Sequence, residues 1–341
     1  MTYDELLESA RNVLKPNCNA CPICDGKACK NRIPGPGAKG TGDNAIRNYL
    51  SWQNYRLIPD AITDVSSVDT SFNFFGQVLS NPILIGPVGA VKSHYGALYD
   101  DLEYNEIMLS CAKNENILGF TGDGVNPLVL ESAAKVIKQL DGDGVITIKP
   151  WDMDTIKKKI DISLESNPIA LAMDIDALGL PFLKNRTPKA GPKTTLELKE
   201  IINYSKKPFI IKGILSVESA RKAYLAGAGA IVVSNHGGRV LDSCVTTSSV
   251  LHDIAKEFKG KMMILVDGGI RSGVDVFKAL ALGADAVLIA RPYVVSIYGS
   301  KTEGVKILTD KLHNELADAM LMTGCKSLKD INITLIKKEE I

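Results

Sequence analysis

Continuous apolar, β-branched runs of strand length recur along the chain from about residue 82: Pro82–Val88, Ile117–Thr121, Val145–Lys149, Ile169–Asp174, Phe209–Gly213, Ala230–Asn235, Met262–Asp267 and Ala286–Ala290. Stretches of helical period separate them, among them Pro127–Leu140, Thr194–Tyr204, Val217–Ala226, Val250–Phe258 and Gly273–Leu282. Runs that are apolar throughout, not alternating, predict strands covered on both faces, as in a parallel sheet wrapped by helices. Eight such units predict an α/β fold closed into a (β/α)8 TIM barrel, since a doubly wound sheet usually has fewer and does not need such regularity. A last helix, Glu303–Thr323, is expected outside the final strand, with Gly324 as its C-cap.

The first 80 residues break this pattern. Met1–Arg11 reads as an amphipathic helix, and residues 16–44, rich in Cys, Gly, Pro and Asn, as loop. Phe72–Phe75 followed by Gly76 predicts a hairpin closing the bottom of the barrel. The Gly/Pro stretch is too short to link two folded units. Residues 1–80 are therefore expected to be an extension of one domain, the barrel occupying residues 81–341.

A chain of 341 residues with 45% hydrophobic content can bury one large core. Its 40 basic and 39 acidic side chains are nearly balanced and form no basic block, which argues against a nucleic-acid partner. The longest apolar runs fall far short of the roughly 20 residues needed to cross a bilayer, so no membrane association is expected. The N-terminus lacks the apolar core of a signal peptide. A cytoplasmic location is therefore expected, with the seven cysteines as reduced thiols or metal ligands.

In a barrel of this kind the chemistry collects at the C-terminal ends of the strands. Gly268-Gly269, ahead of a helix, and Ala290-Arg291 offer backbone N–H groups and a guanidinium for a phosphate. His236, flanked by small residues after the sixth strand, has the character of a general base. Asp174, ending the fourth strand, is expected to orient that imidazole. Arg239 suits a bidentate grip on a carboxylate, and Lys212 supplies fixed positive charge where an anion develops.

These residues carry a resemblance. Ser234-Asn235-His236-Gly237-Gly238-Arg239 followed by Val240-Leu241-Asp242 resembles the signature of the FMN-dependent 2-hydroxy-acid oxidases and dehydrogenases, such as glycolate and lactate oxidase. Val266–Arg271, Phe277–Ala284 and Thr323–Leu328 resemble the same family. The resemblance implies FMN across the barrel mouth, its phosphate on Gly269, Arg271, Ala290 and Arg291, with Gly268 in the same turn. It implies that Pro87, Val88, Gly89, Thr121 and Thr147 contact the isoalloxazine ring, that Asp267 binds the ribityl chain, and that Lys212 faces the N1/O2 edge. It further implies a small-molecule 2-hydroxy acid as substrate, held by Arg239 and deprotonated by His236 paired with Asp174. The electron acceptor is left unknown, and family members commonly form homotetramers.

The chain departs from the family pattern in two places. Aromatic residues that usually line the substrate pocket are replaced by a Gly/Pro-rich stretch, by Asp123 and by Lys149, and the segment after Asp174 is short. Asp123 and Lys149 are thus expected to contact a substrate more polar than lactate or glycolate. The second departure is Cys18, Cys21, Cys24 and Cys29, spaced x2, x2, x4. Four thiolates match zinc or an iron–sulfur cluster, and the ligand types alone do not separate the two; the other reading is free thiols in a loop. Rival functions are an FMN barrel acting on another substrate class (a tailoring oxidase or an isomerase), a flavin-free phosphate-binding lyase or isomerase, and a flavin-binding regulator.

Overall fold

The computed structural model describes residues 1–339, so the last two residues of the expected barrel segment lie outside it. Eight parallel strands close into a barrel in chain order: Ile83–Val88, Gly119–Thr121, Val145–Ile148, Ala170–Asp174, Phe209–Ile214, Ala230–Val233, Met263–Val266 and Ala286–Ile289. The last pairs with the first through Val287↔Ile83, Leu288↔Leu84 and Ile289↔Ile85. The strands are continuously apolar because the pleat sends alternate residues to two different cores. Leu84, Phe120, Val145, Ala172, Ile210, Val232, Leu265 and Leu288 fill the barrel interior. Their neighbours Ile83, Ile146, Leu171, Ile211, Ile231, Ile264 and Val287 pack in the larger core formed with the surrounding helices.

The helix after the final strand is longer than expected. It runs from Arg291 to Met322 but is interrupted at Ser300 and Lys301, so two helices meet at a kink. Gly324 follows it with φ 68°, a left-handed residue just past the helix end, where glycine carries no steric cost. Among the described residues, no helix is long and apolar enough to cross a membrane.

The first 80 residues engage both ends of the barrel. Strands Phe72–Phe74 and Gln77–Leu79 form a hairpin whose Phe74 and Leu79 pack into the interior cluster, Phe74 lying edge-on to Phe120. At the opposite end, helix Asp43–Gln53 lies against the loops after the sixth and seventh strands. Asn48 and Asn235 exchange side-chain amide hydrogen bonds at 2.7 and 2.9 Å, and Trp52 Nε1 donates to the Gly268 carbonyl at 2.7 Å. Lys39 Nζ bridges the carbonyls of Gly179 and Val240 at 2.8 and 2.7 Å. Tyr55–Leu57 also pairs with Ile336–Lys338, tying this segment to the far end of the chain.

Candidate active site

The pleat that fills the barrel interior also decides which strand-end side chains enter its mouth. Continuing the inward parity along each strand leads to Lys149, Asp174, Lys212, Asp267 and Ala290. All five line one cavity of about 640 Å³ at the C-terminal face, with Pro87, Val88, Gly89, His236, Arg239, Gly268, Gly269, Arg271 and Arg291. That volume lies within the range of small-molecule and cofactor sites.

The side of the cavity at Gly268 and Gly269 is built from backbone. Gly268 and Gly269 have φ of 89° and 85°, and a Cβ on Gly269 would stand 2.3 Å from the Asn48 carbonyl oxygen. Only glycine fits where this turn meets helix Asp43–Gln53. Arg291 opens the following helix and donates to the Gly237 carbonyl at 2.9 Å, joining the sixth and eighth strand ends. Arg271 is differently employed from its sequence expectation. Its Nε donates to the Cys24 carbonyl at 2.7 Å and one terminal nitrogen to its own strand-end carbonyl, Ile270 O, at 2.6 Å, although the side chain still lines the cavity.

His236 sits in the left-handed region at φ 57°, followed by Gly237 and Gly238 at 64° and 83°. Its N–H donates to Ser234 Oγ at 3.0 Å. Non-glycine residues held in this conformation cluster at functional sites, where the surrounding structure imposes it. The ring Nδ1 meets Asp176 Oδ1 at 2.9 Å.

That pairing corrects the sequence expectation, which gave this role to Asp174. Asp174 stands beside Lys212 in the strand register, and neighbours in register point the same way. Its carboxylate lies between Lys149 Nζ at 3.5 Å and Lys212 Nζ at 3.4 Å. Asp176, two residues later on the short turn Ile175–Gly179, rises over Gly213 to reach the imidazole. A Cβ on Gly213 would come within 2.6 Å of the Asp176 carboxyl carbon. Asp174, Asp176 and His236 still form one cluster, with ligand atoms within 4.8 Å of one another. Burial alone would raise the Asp174 carboxyl, but Lys212, His236 and Lys149 hold it below the ordinary carboxylate range. Burial would likewise lower the Lys212 ammonium, and Asp174, Asp267 and Asp176 keep it raised.

Asp123 is the second correction. It is buried, and its oxygens accept from Lys149 N at 3.0 Å, Trp151 Nε1 at 2.7 Å, Lys159 Nζ at 2.7 Å and Gly124 N at 2.7 Å. A carboxylate so satisfied organises the loop and has no capacity left for a substrate. Lys149 lines the cavity, yet its charge is met by Asp174. Asp123 and Lys149 are thus met within the protein, and Val125, Val129, Leu180 and Phe182 add an apolar stretch to a wall that also carries Arg186.

Thr121 is not brought to the cavity. Phe120 occupies the interior, so Thr121 faces the other way, and its hydroxyl donates to the Val145 carbonyl at 3.4 Å. Thr147 has inward parity and is fully buried, with a hydroxyl that has no partner among the described residues. Asp267 Oδ1 is also buried and unpartnered. Asp267 lines the cavity, and a buried oxygen left unpartnered there suits a group that binds in it. The two-glycine turn, Arg291, Asp267 and Lys212 together fit a phosphorylated flavin.

Arg239 is half-buried beside Arg291, and desolvation first, then that like charge, lowers its guanidinium to about 10. One nitrogen donates to the carbonyls of Gly35 and Gly37 at 2.6 and 2.9 Å, anchoring the N-terminal segment while the side chain lines the cavity. Gly35 also donates its N–H to His94 Nδ1 at 3.0 Å.

His94, which the sequence did not single out, packs beside Phe182 with ring centroids 5.4 Å apart. Burial, then Arg239 and Lys149, lowers it to about 3 from an ordinary 6.5. A group whose folded value is depressed contributes stability above its unfolded value and loses it as the pH falls. Between pH 6.5 and pH 5 the protein is expected to lose about 2 kcal/mol more than the His94→Gln variant. Chemical denaturation of both at the two pH values checks this; parallel pH dependences refute it.

The family's sequence profile, described as FMN-dependent dehydrogenase, matches residues 35–187 and 181–338. The chain is 30% identical over 329 residues to a 2-hydroxyacid oxidase of Dictyostelium discoideum, covering 88% of this chain and 84% of that protein. It is equally 30% identical over 351 residues to the 4-hydroxymandelate oxidase of Amycolatopsis orientalis, covering 89% and 94%. A mandelate oxidase structure with (S)-4-hydroxymandelic acid superposes with TM-score 0.80 at 26% identity, over 100% of this chain and 99% of that one. Another, carrying a monooxide FMN adduct, gives 0.76 at 28% identity over 98% of each chain. With a two-glycine turn and Arg291 beside an acid-paired histidine at the mouth of such a barrel, the chain belongs to the FMN-dependent dehydrogenase family.

Proposed function

We infer that the chain oxidises the α-carbon of a 2-hydroxy acid to the 2-oxo acid, with His236 as general base. The observation that carries this reading is the 2.9 Å contact between His236 Nδ1 and Asp176, made at the wall of the same cavity as Arg239 and the Gly268-Gly269 turn. With its Nδ1 proton donated to Asp176, the imidazole leaves Nε2 unprotonated and free to take a proton from substrate. Asp176 then stabilises the imidazolium that forms, without itself accepting the proton.

When bound, FMN supplies the two-electron acceptor. Gly269, Ala290 and Arg291 hold its phosphate, Asp267 offers an oxygen to its ribityl hydroxyls, and Lys212 keeps a positive charge at the cavity floor. Arg239 takes the substrate carboxylate with the guanidinium nitrogens not engaged by Gly35 and Gly37. Beyond it the side chain of the acid meets Val125, Val129, Leu180 and Phe182.

Anaerobic bleaching of the flavin by a panel of acids tests the reading. A 2-hydroxy acid with an apolar side chain is expected to bleach it about ten- to a hundredfold faster, in kcat/KM, than glycolate, which buries no such group. A flavin that no 2-hydroxy acid bleaches overturns the activity, and glycolate reacting fastest overturns the assignment of the apolar wall.

A further inference from the structure

Cys18, Cys21, Cys24 and Cys29 all line one cavity of about 380 Å³, lying between the first helix, the loop that carries them, and the start of the helix at Arg291. Tyr95, Arg271 and Arg291 are shared by the walls of this chamber and of the active-site cavity. The oxidation chemistry inferred above uses none of the four thiols.

The loop is held to the barrel through its backbone. Arg11 donates to the carbonyls of Asn19 and Ala20 at 3.2 Å each, and Arg271 Nε to that of Cys24 at 2.7 Å. Three guanidinium–carbonyl bonds fix the loop so that all four cysteines border the chamber, whose wall also carries Arg271, Arg291 and Lys311. Ala20, in the left-handed region at φ 41°, turns its N–H toward the Cys18 sulfur. Gly26 has φ 88°, and a Cβ there would stand 2.9 Å from Ala45 Cβ. The chain therefore bends tightly against helix Asp43–Gln53 between Cys24 and Cys29, and the four-residue spacer returns the last thiol to the chamber.

Size separates the two metal centres that four thiolates suit. A tetrahedral zinc with bonds of about 2.3 Å brings its sulfurs to roughly 3.8 Å from one another and encloses no free volume. Among the described residues, these four cysteines do not form a group drawn close enough together to hold a single ion. A cubane places four irons and four sulfides between its cysteines and needs both the wider spacing and the chamber. We propose that Cys18, Cys21, Cys24 and Cys29 bind a [4Fe–4S] cluster beside the wall shared with the active-site cavity.

The test is metal and sulfide analysis of the flavin-loaded protein, prepared anaerobically and reconstituted with ferrous iron and sulfide. About four irons and about four acid-labile sulfides per chain are expected, with an electron paramagnetic resonance signal that appears on reduction. The double variant Cys21→Ala/Cys24→Ala should lose most of the iron and the signal, whereas Cys244→Ala, outside the chamber, should keep both. About one zinc per chain without sulfide overturns the proposal, as does a protein that binds flavin but takes up no iron. Flavin bleaching by 2-hydroxy acids is read separately, so failure of the cluster and failure of the oxidation reading give different results.

Discussion

Replacing His236 by glutamine is expected to slow flavin bleaching by a 2-hydroxy acid about 10²- to 10⁴-fold, the usual worth of a positioned general base. Flavin content should stay near that of the unaltered protein, because the residues proposed to hold its phosphate and ribityl chain stand on other strand ends. The neighbouring carboxylates sharpen the test. Asp176 holds the ring at 2.9 Å, so Asp176→Asn should approach the same loss by favouring the wrong tautomer. Its signature is a bleaching rate that falls with little change in substrate KM, since Asp176 positions the base and does not hold the carboxylate. Stopped-flow measurement across a range of substrate concentrations separates the two parameters. A His236→Gln protein that bleaches at the unaltered rate removes the imidazole from the mechanism.

The exchange of roles between Asp174 and Asp176 marks where the sequence stops being informative. The eight strands are legible because burial on both faces makes each one continuously apolar, and strand ends are legible because polar residues stand there. Which of two acids two residues apart reaches the histidine depends on where the pleat gives way to the turn at Ile175, and on Gly213 leaving room above the next strand. Neither is a local property. Asp123 was unreadable for a related reason, since the groups that satisfy it include Trp151 and Lys159, 28 and 36 residues further along the chain. A lone acid at a strand end looks the same whether it awaits a substrate or a lysine. Asp176 itself had a signal, an acid within a turn of the strand end that also carries Asp174, and His94 had none beyond being one of four histidines. The cover supplied by Asn48 and Trp52 was hidden because its partners, Asn235 and Gly268, lie 187 and 216 residues away.

Lys212→Met should produce the largest loss of stability of any single change at the site. The ammonium lies 3.4 Å from Asp174 and 3.5 Å from Asp267, with its side chain 4% exposed. Methionine matches its length and removes its charge, leaving Asp174 with Lys149 and His236 and taking from Asp267 the lysine it faces. Breaking a buried ion pair by deleting one partner costs about 3–5 kcal/mol, because the remaining charge is left poorly compensated. The pH dependence carries the sign of this explanation. In the unaltered protein the Asp174 carboxyl is held below its unfolded value, so its contribution is present above about pH 4 and fades as the pH falls further. In the variant, burial is less opposed and the folded value moves up, which penalises the ionised form as the pH rises. The deficit of Lys212→Met should therefore be widest near pH 7 and narrow toward pH 4, measured as the difference in unfolding free energy between the two proteins. The lysine's own raised value keeps it charged throughout that window and adds no slope of its own. A deficit that is constant with pH would mean that methionine simply packs badly, and that the charge at position 212 is not what holds the two aspartates in the barrel mouth.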